Sequence, residues 1–215
     1  MKTNRTTIMN FRTVKHIAII LFRQLIRDKI FLTLSGISVL LVFASLILNE
    51  MVVGQEIKAT KDLGLSVLNL FSLFILIFLG VNLLSRDING KSLYFLFSRP
   101  VSRSEYLLGG FFSVLSAVFT GIVVIVATIF LLSFIQGEVW ISGLLTAGFL
   151  TFLEMTLVLS FALLFSISVS PQLAMFLTLM VYVIGHTSAQ AAQIVDRSAN
   201  AALKYTVLAM DALLP

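Results

Sequence analysis

Residues 106–134 read YLLGGFFSVLSAVFTGIVVIVATIFLLSF, a long apolar stretch that contains no charged side chain. A helix needs about 20 apolar residues to cross the hydrocarbon core of a bilayer. This stretch is longer, so it predicts a membrane-spanning helix that tilts or projects beyond the bilayer. Strands are a poor alternative, because period-two alternation is absent and an open sheet in lipid leaves backbone groups unpaired.

The rest of the chain contains four further apolar stretches, at residues 30–48, 63–84, 140–169 and 173–194. The last of them reaches span length only if the polar run His186–Gln193 continues it. Only 12% of the residues are charged and the mean hydropathy is +1.05, whereas a soluble domain has about a quarter of its residues charged. We therefore predict an all-α fold, a polytopic membrane helix bundle of five spans forming one domain over residues 1–215.

An arm of residues 1–29, rich in lysine and arginine, precedes the first span. Within it, apolar residues recur at helical spacing at Val14, Ile17, Leu21 and Leu25. The cationic side is supplied by Arg12, Lys15, Arg23 and Arg27. This pattern predicts an amphipathic helix over Phe11–Lys29 that lies on the membrane surface and faces anionic lipid. Calmodulin-like partner binding gives the same pattern. Nucleic-acid binding is disfavoured, because everything downstream is apolar enough for a bilayer.

The distribution of lysine and arginine between the connections predicts the orientation. The arm and the connection 85–105 are rich in both, the connection 49–62 mixes cations with acids, and residues 136–139 hold no cation. By the positive-inside rule the N-terminus and residues 85–105 face the cytoplasm of a multi-pass protein in the cell membrane. Residues 195–215 then lie outside as an interfacial segment.

The connection between the second and third spans, SRDINGKSLYFLFSRPVSRSE at residues 85–105, is the most informative part of the sequence. Gly90 predicts a helix break, and residues 91–97 can form a short helix with an apolar side. Pro100 does not fit inside a regular helix. Ser102 and Glu105 have the spacing of a capping box, which predicts the start of the third span. A short exposed helix with an apolar stripe indicates docking on the membrane surface or on a cytoplasmic partner.

The stretch Arg99–Gly109, RPVSRSEYLLG, resembles the cytoplasmic-loop signature of type-2 ABC transporter permeases, and Asp87 with Gly90 matches the pair that precedes it. The resemblance implies the permease subunit of an ATP-driven exporter, paired with a second permease and docked on ATP-binding cassette ATPase subunits. The ATPase-coupling residues it implies are Asp87, Gly90, Leu93, Phe97, Arg99, Pro100, Ser102, Arg103 and Glu105. Because such permeases have six spans, and a Leu-Pro like the one at Leu214 commonly precedes the last, we expect a sixth span to be missing from this chain.

The triplet Gly90-Lys91-Ser92 is similar to the end of a Walker A motif, but Ser85 stands where that motif needs its first glycine. The motif also follows a strand, whereas a predicted membrane helix precedes this one. We therefore expect no ATP site and no cofactor in this chain, with ATP bound by the partner subunit. The chain has no cysteine, which excludes disulfides and iron–sulfur clusters.

One acid, Glu154, interrupts the fourth span, and Thr151 lies one turn before it with a hydroxyl that could donate a hydrogen bond. A carboxylate in a bilayer is costly, so it is expected to face the bundle interior, to pair or to be protonated. Two interpretations stay open. Thr151 and Glu154 line a translocation path or a dimer seam, or Glu154 is a neutral carboxyl satisfied by the bundle. His186, Gln190 and Gln193 either line an outer gate or are ordinary interfacial groups.

Three functions therefore compete. The exporter permease rests on the connection motif and makes the chain a transport subunit without enzymatic activity. A non-transporting membrane scaffold or sensor could recruit a cytoplasmic partner through the same connection. An intramembrane enzyme has only Glu154 and His186 in its favour, without a second acid or a nucleophile at a suitable spacing.

Overall fold

The computed structural model describes residues 11–51, 56–89, 102–136 and 141–195, and within these ranges the chain contains only helices and short connections. The helices are α1 Phe11–Ile26, α2 Lys29–Met51, α3 Glu56–Asn89, α4 Arg103–Ile135, α5 Ile141–Ser168 and α6 Pro171–Val195. The predicted all-α class is confirmed. Each of the five apolar stretches falls on one helix, α2 to α6 in chain order.

The helix α3 is longer at both ends than the apolar stretch 63–84 that predicted it. It begins at Glu56 and continues to Asn89, so the charged residues Lys61 and Asp87 lie on a helix and not in connections. The connections predicted at 49–62 and 85–105 are correspondingly shorter. Apolar composition marks only the lipid-compatible part of a helix, whereas lysine, arginine and glutamate are good helix formers that extend it.

By length and composition, three segments of the described chain can cross a membrane: Lys61–Val81, Ser104–Ile135 and Ser142–Ser168. The apolar parts of α2 and α6 are shorter, Lys29–Ser45 and Pro171–Thr187. Large apolar side chains are also exposed along the bundle, for example on α5 at Leu145, Phe149, Leu153, Leu157 and Phe161. Contiguous exposed apolar surface of this kind is rare on soluble monomers, and it suits a helical bundle surrounded by lipid.

The core of the bundle forms around α3, which contacts α2, α4, α5 and α6. Its largest fully buried side chains include Leu68, Leu73, Ile75 and Leu76. Small residues on neighbouring helices allow close approach. At Gly121 of α4, an added Cβ would lie 3.0 Å from Cδ1 of Ile75. Small residues at helix contacts are typical of membrane bundles, because the hydrophobic effect does not drive helices together in lipid and close packing does.

The first helix carries the predicted apolar stripe, but the stripe contacts protein. Val14, Leu21 and Leu25 are buried, and α1 packs along α4. The stripe therefore packs on α4 and not on lipid, whereas the position of α1 at the membrane surface stays a prediction. Gly109 of α4 makes this contact possible, because Ile17 packs where any other residue would have a side chain.

The end of α1 also differs from the prediction, at Ile26 and not Lys29. Oδ1 of Asp28 accepts a hydrogen bond of 2.9 Å from the backbone N–H of Ile30. Asp28 thus acts as the N-cap of α2 and separates the two helices, as aspartate commonly does at this position.

Candidate functional site: a polar cluster across α3, α5 and α6

Two polar side chains, one buried and one half-buried, connect α3 to α5 inside the bundle. The hydroxyl of Thr151 donates a hydrogen bond of 2.8 Å to Oδ1 of Asn69. Thr151 is only 5% exposed, and Asn69 is half-buried within the apolar part of α3. The expected hydrogen bond from Thr151 to Glu154 is not formed, because the hydroxyl hydrogen is already donated to the neighbouring helix.

One turn further along α5, Glu154 approaches α6. Its Oε1 atom lies 3.8 Å from Nδ1 of His186, an ion pair when the imidazole is protonated. The side chain of Glu154 is 37% exposed and that of His186 is 48% exposed. Glu154 therefore has a partner, as expected of an acid in an apolar helix, but it lies at the edge of the bundle and not in its interior.

A ring contact completes the cluster. Tyr182, one turn before His186 on α6, stacks on the imidazole with ring centroids 5.6 Å apart and ring planes 14° apart. This stacking limits the orientations of the imidazole and holds it towards α5. The cluster therefore joins three helices. Asn69 and Thr151 connect α3 to α5, and Glu154 and His186 connect α5 to α6.

Chemically, the cluster combines an amide, a hydroxyl, a carboxylate and an imidazole on an otherwise apolar bundle. Ionisable groups in such surroundings are costly and commonly mark a path for ions, protons or polar substrates. Within the described residues, no group of three or more His, Cys, Asp and Glu side chains is placed to hold a metal ion. The arrangement is suited to binding polar groups.

The second predicted site is the connection that precedes α4, and the structure describes its last part. The backbone N–H of Ser102 donates to Oε2 of Glu105 at 3.0 Å, and the backbone N–H of Glu105 donates to Oγ of Ser102 at 3.3 Å. Both halves of the predicted capping box are present. Glu105 is only 3% exposed, so its carboxylate faces inward and fixes the start of α4.

The other coupling residues are described incompletely. Asp87 lies near the end of α3, and Arg103 is the first residue of α4. Gly90, Leu93, Phe97, Arg99 and Pro100 lie outside the described residues, as do the short helix predicted over 91–97 and the segment 196–215. Their roles in coupling stay predictions.

Two residues of the polar cluster, Asn69 and Tyr182, are not predicted from the sequence. Asn69 is a single amide in the apolar part of α3, and a strongly polar side chain there needs a partner on another helix. Tyr182 lies four residues before His186, a spacing that places both on one face of a helix. His186 itself was assigned to the outer gate or to an interface with Gln190 and Gln193, which are also on α6.

No protein-family model, no curated protein and no solved structure matches this chain. The likeness of residues 99–109 to the permease signature therefore stands on those residues alone.

Proposed function

We propose that this chain is the transmembrane permease subunit of an ATP-driven ABC exporter in the cell membrane. In this proposal α2 to α6 are five spans and the N-terminus is cytoplasmic. The observation that carries it is the motif Arg99–Gly109 together with the capping box of Ser102 and Glu105 within it. The capping box fixes where α4 begins, so a push on this connection would enter α4 at Ser102.

The continuity of α3 supports a mechanical route from this connection into the bundle. The helix runs unbroken from Glu56 to Asn89, so Asn69 lies about 30 Å along the helix axis from its cytoplasmic end. Asn69 then connects α3 to Thr151 of α5. ATP binding by the ATPase subunits moves the connection, and α3 and α4 carry this motion to the polar cluster.

In the same proposal the polar cluster lines the translocation path. Thr151 and Glu154 lie on successive turns of α5, and their partners lie on α3 and α6. Relative movement of the three helices would break or form these contacts and so change which side of the membrane the path opens to. A second permease, identical or homologous, completes the transporter, and the ATP sites belong to the partner ATPase.

Charge reversal at Arg99 and Arg103 tests the proposal, because these cations are assigned to acidic groups on the ATPase. The tagged chain, purified from its native membrane, is expected to retain an ATP-binding cassette ATPase. The double variant R99E/R103E should lower the retained ATPase at least about tenfold, since like charges facing each other are strongly unfavourable. Lys61→Glu, a reversal near the other end of α3, is the matched control and should retain the wild-type amount.

Two results would contradict the proposal: no ATPase with the wild-type chain, or equal retention by R99E/R103E and the wild type. In the complex that is retained, ATP-driven movement of a substrate into liposomes separates a permease from a scaffold that only recruits the ATPase.

The approach of Glu154 to His186 favours a second candidate, an intramembrane enzyme that uses this pair for proton transfer. Such an enzyme acts without an ATPase. If the purified chain alone catalyses a reaction and the Glu154→Gln variant does not, the enzyme is favoured over the transporter.

A further inference from the structure

A groove of about 520 Å³ opens between α1 and the bundle. It is within the size range of small-molecule sites, about 300 to 1,000 Å³. One wall is a single face of α1, formed by Lys15, Ala18, Ile19 and Phe22. The opposite wall is formed by Leu115, Ser116, Phe119 and Thr120 of α4, with Phe152 of α5. Ala18 is small, and this leaves room between the larger side chains on either side of it.

A second cavity of about 350 Å³ lies next to the groove, between α4 and α5. The two share Phe119 and Phe152, whose rings meet edge-to-face with centroids 5.3 Å apart. Every residue that lines the second cavity is apolar, as far as Phe130 on α4. From Ser116 to Phe130 the helix rises about 21 Å, more than the depth of one leaflet's hydrocarbon at about 15 Å.

Of the residues that line the two cavities, the polar and charged ones all line the groove beside α1. Lys15 is exposed at the groove, and Arg12 lies one turn before it. The helix Phe11–Ile26 contains no acidic residue. The hydroxyls of Ser116 and Thr120 donate to backbone carbonyls of their own helix, at 2.8 and 2.9 Å. Because their hydrogens are already donated, this wall tolerates hydrocarbon without leaving a donor unpaired.

We propose that the groove and the neighbouring cavity together bind one anionic phospholipid. Its phosphate pairs with Lys15, and one acyl chain passes Phe119 and Phe152 into the cavity between α4 and α5. The argument is the complementarity of a cation at one end and purely apolar walls at the other, which matches an amphipathic anion and neither a free phosphate nor an uncharged hydrocarbon. The proposal rests on the membrane location of the bundle and is independent of ATP-driven transport.

The test is retention of lipid by the chain reconstituted in nanodiscs of equal phosphatidylglycerol and phosphatidylcholine. After transfer to a mild detergent, native mass spectrometry counts the phospholipids that stay bound. The wild type should prefer the anionic lipid about fivefold or more, as one basic side chain near a membrane surface provides. Lys15→Gln and Lys15→Met should both lose the preference. Arg23→Gln removes an exposed cation of the same helix outside the groove and should keep it.

Filling the groove is the second arm. Ser116→Trp, at an exposed position on the α4 wall, should lower retention of the anionic lipid, while Ser160→Trp, exposed on α5 and outside both cavities, should not. Circular dichroism checks that the variants keep their helix content.

Three outcomes would overturn the proposal. The wild type shows no preference between the two lipids, or Lys15→Gln and Arg23→Gln lose the preference equally, which indicates diffuse attraction by α1. In the third, Ser116→Trp leaves lipid retention unchanged and dissociates a dimer, which indicates that a second copy of the chain occupies the groove.

Discussion

At the scale of single residues, the bundle depends on a few polar side chains placed among apolar ones. Thr151 donates to Asn69 across the contact between α5 and α3. Both groups lie among apolar side chains, Thr151 buried and Asn69 half-buried, so loss of one leaves the other without its hydrogen-bond partner. The hydrogen bond therefore stabilises one alignment of the two helices over shifted alternatives.

The contribution of this hydrogen bond is measurable by a double-mutant cycle. We expect Thr151→Val and Asn69→Leu each to lower the free energy of unfolding, with a coupling of about 0.6 to 1.7 kcal/mol, the range found between membrane helices. Reversible unfolding in lipid or mixed micelles measures it. Thr146→Val is the control, because the exposed Thr146 donates only to Ser142 of its own helix. Strictly additive losses for the first pair would show that the contact contributes nothing.

The pairing of Glu154 with His186 leads to a prediction about charge. His186→Glu places two carboxylates side by side and should lower the melting temperature by an amount equivalent to about 1 kcal/mol or less, because both side chains are partly exposed. The exchange E154H/H186E restores the pair and should recover the stability. Melting curves in nanodiscs near pH 6 measure both. An exchanged variant no more stable than His186→Glu would argue against the pairing.

At the scale of helices, the contact of α1 with α4 is set by one close approach. A Cβ added at Gly109 would lie 2.6 Å from Cγ2 of Ile17 and 3.0 Å from its Cβ. Ile17 is β-branched and stiff, so it cannot move aside cheaply. The glycine is therefore required by the neighbouring helix and not by a turn.

Gly109→Ala should consequently destabilise the chain by about 1 to 3 kcal/mol, as overpacking does. Combining it with Ile17→Ala removes the clashing methyl group and should recover part of the loss. Gly36→Ala is the matched control, because nothing lies within 4 Å of the added Cβ, and it should gain about 0.5 to 1 kcal/mol. Thermal unfolding of the four proteins measures this. Equal stability of Gly109→Ala and Gly36→Ala would contradict the described packing.

The helices themselves could be predicted from the sequence because apolar runs, capping residues and charge breaks are local signals. The capping box at Ser102 and Glu105 is an example, since both partners lie within one helical turn. What escaped prediction depends on neighbours distant in sequence. The stripe of α1 was assigned to lipid, because an apolar face looks the same whether lipid or α4 covers it. The sequence predicts a partner for Thr151 on its own helix, because the alignment of α3 with α5 is not encoded locally.

At the scale of the whole molecule, the proposed function requires that the apolar helices lie in lipid and that residues 85–105 face the cytoplasm. The exposed apolar side chains of α4 and α5 agree with the first requirement. The basic residues of the connection motivate the second. Together they would place the capped start of α4 where a cytoplasmic ATPase reaches it.

Cysteine labelling in intact cells tests both requirements most directly, because the chain has no native cysteine and each introduced one reports without background. Ser104→Cys, exposed at the start of α4, should react with a membrane-impermeant maleimide only after the cells are opened. Glu138→Cys, in the connection between α4 and α5, should react in intact cells. Labelling of Ser104→Cys from outside, or of both positions from the same side, would contradict the account.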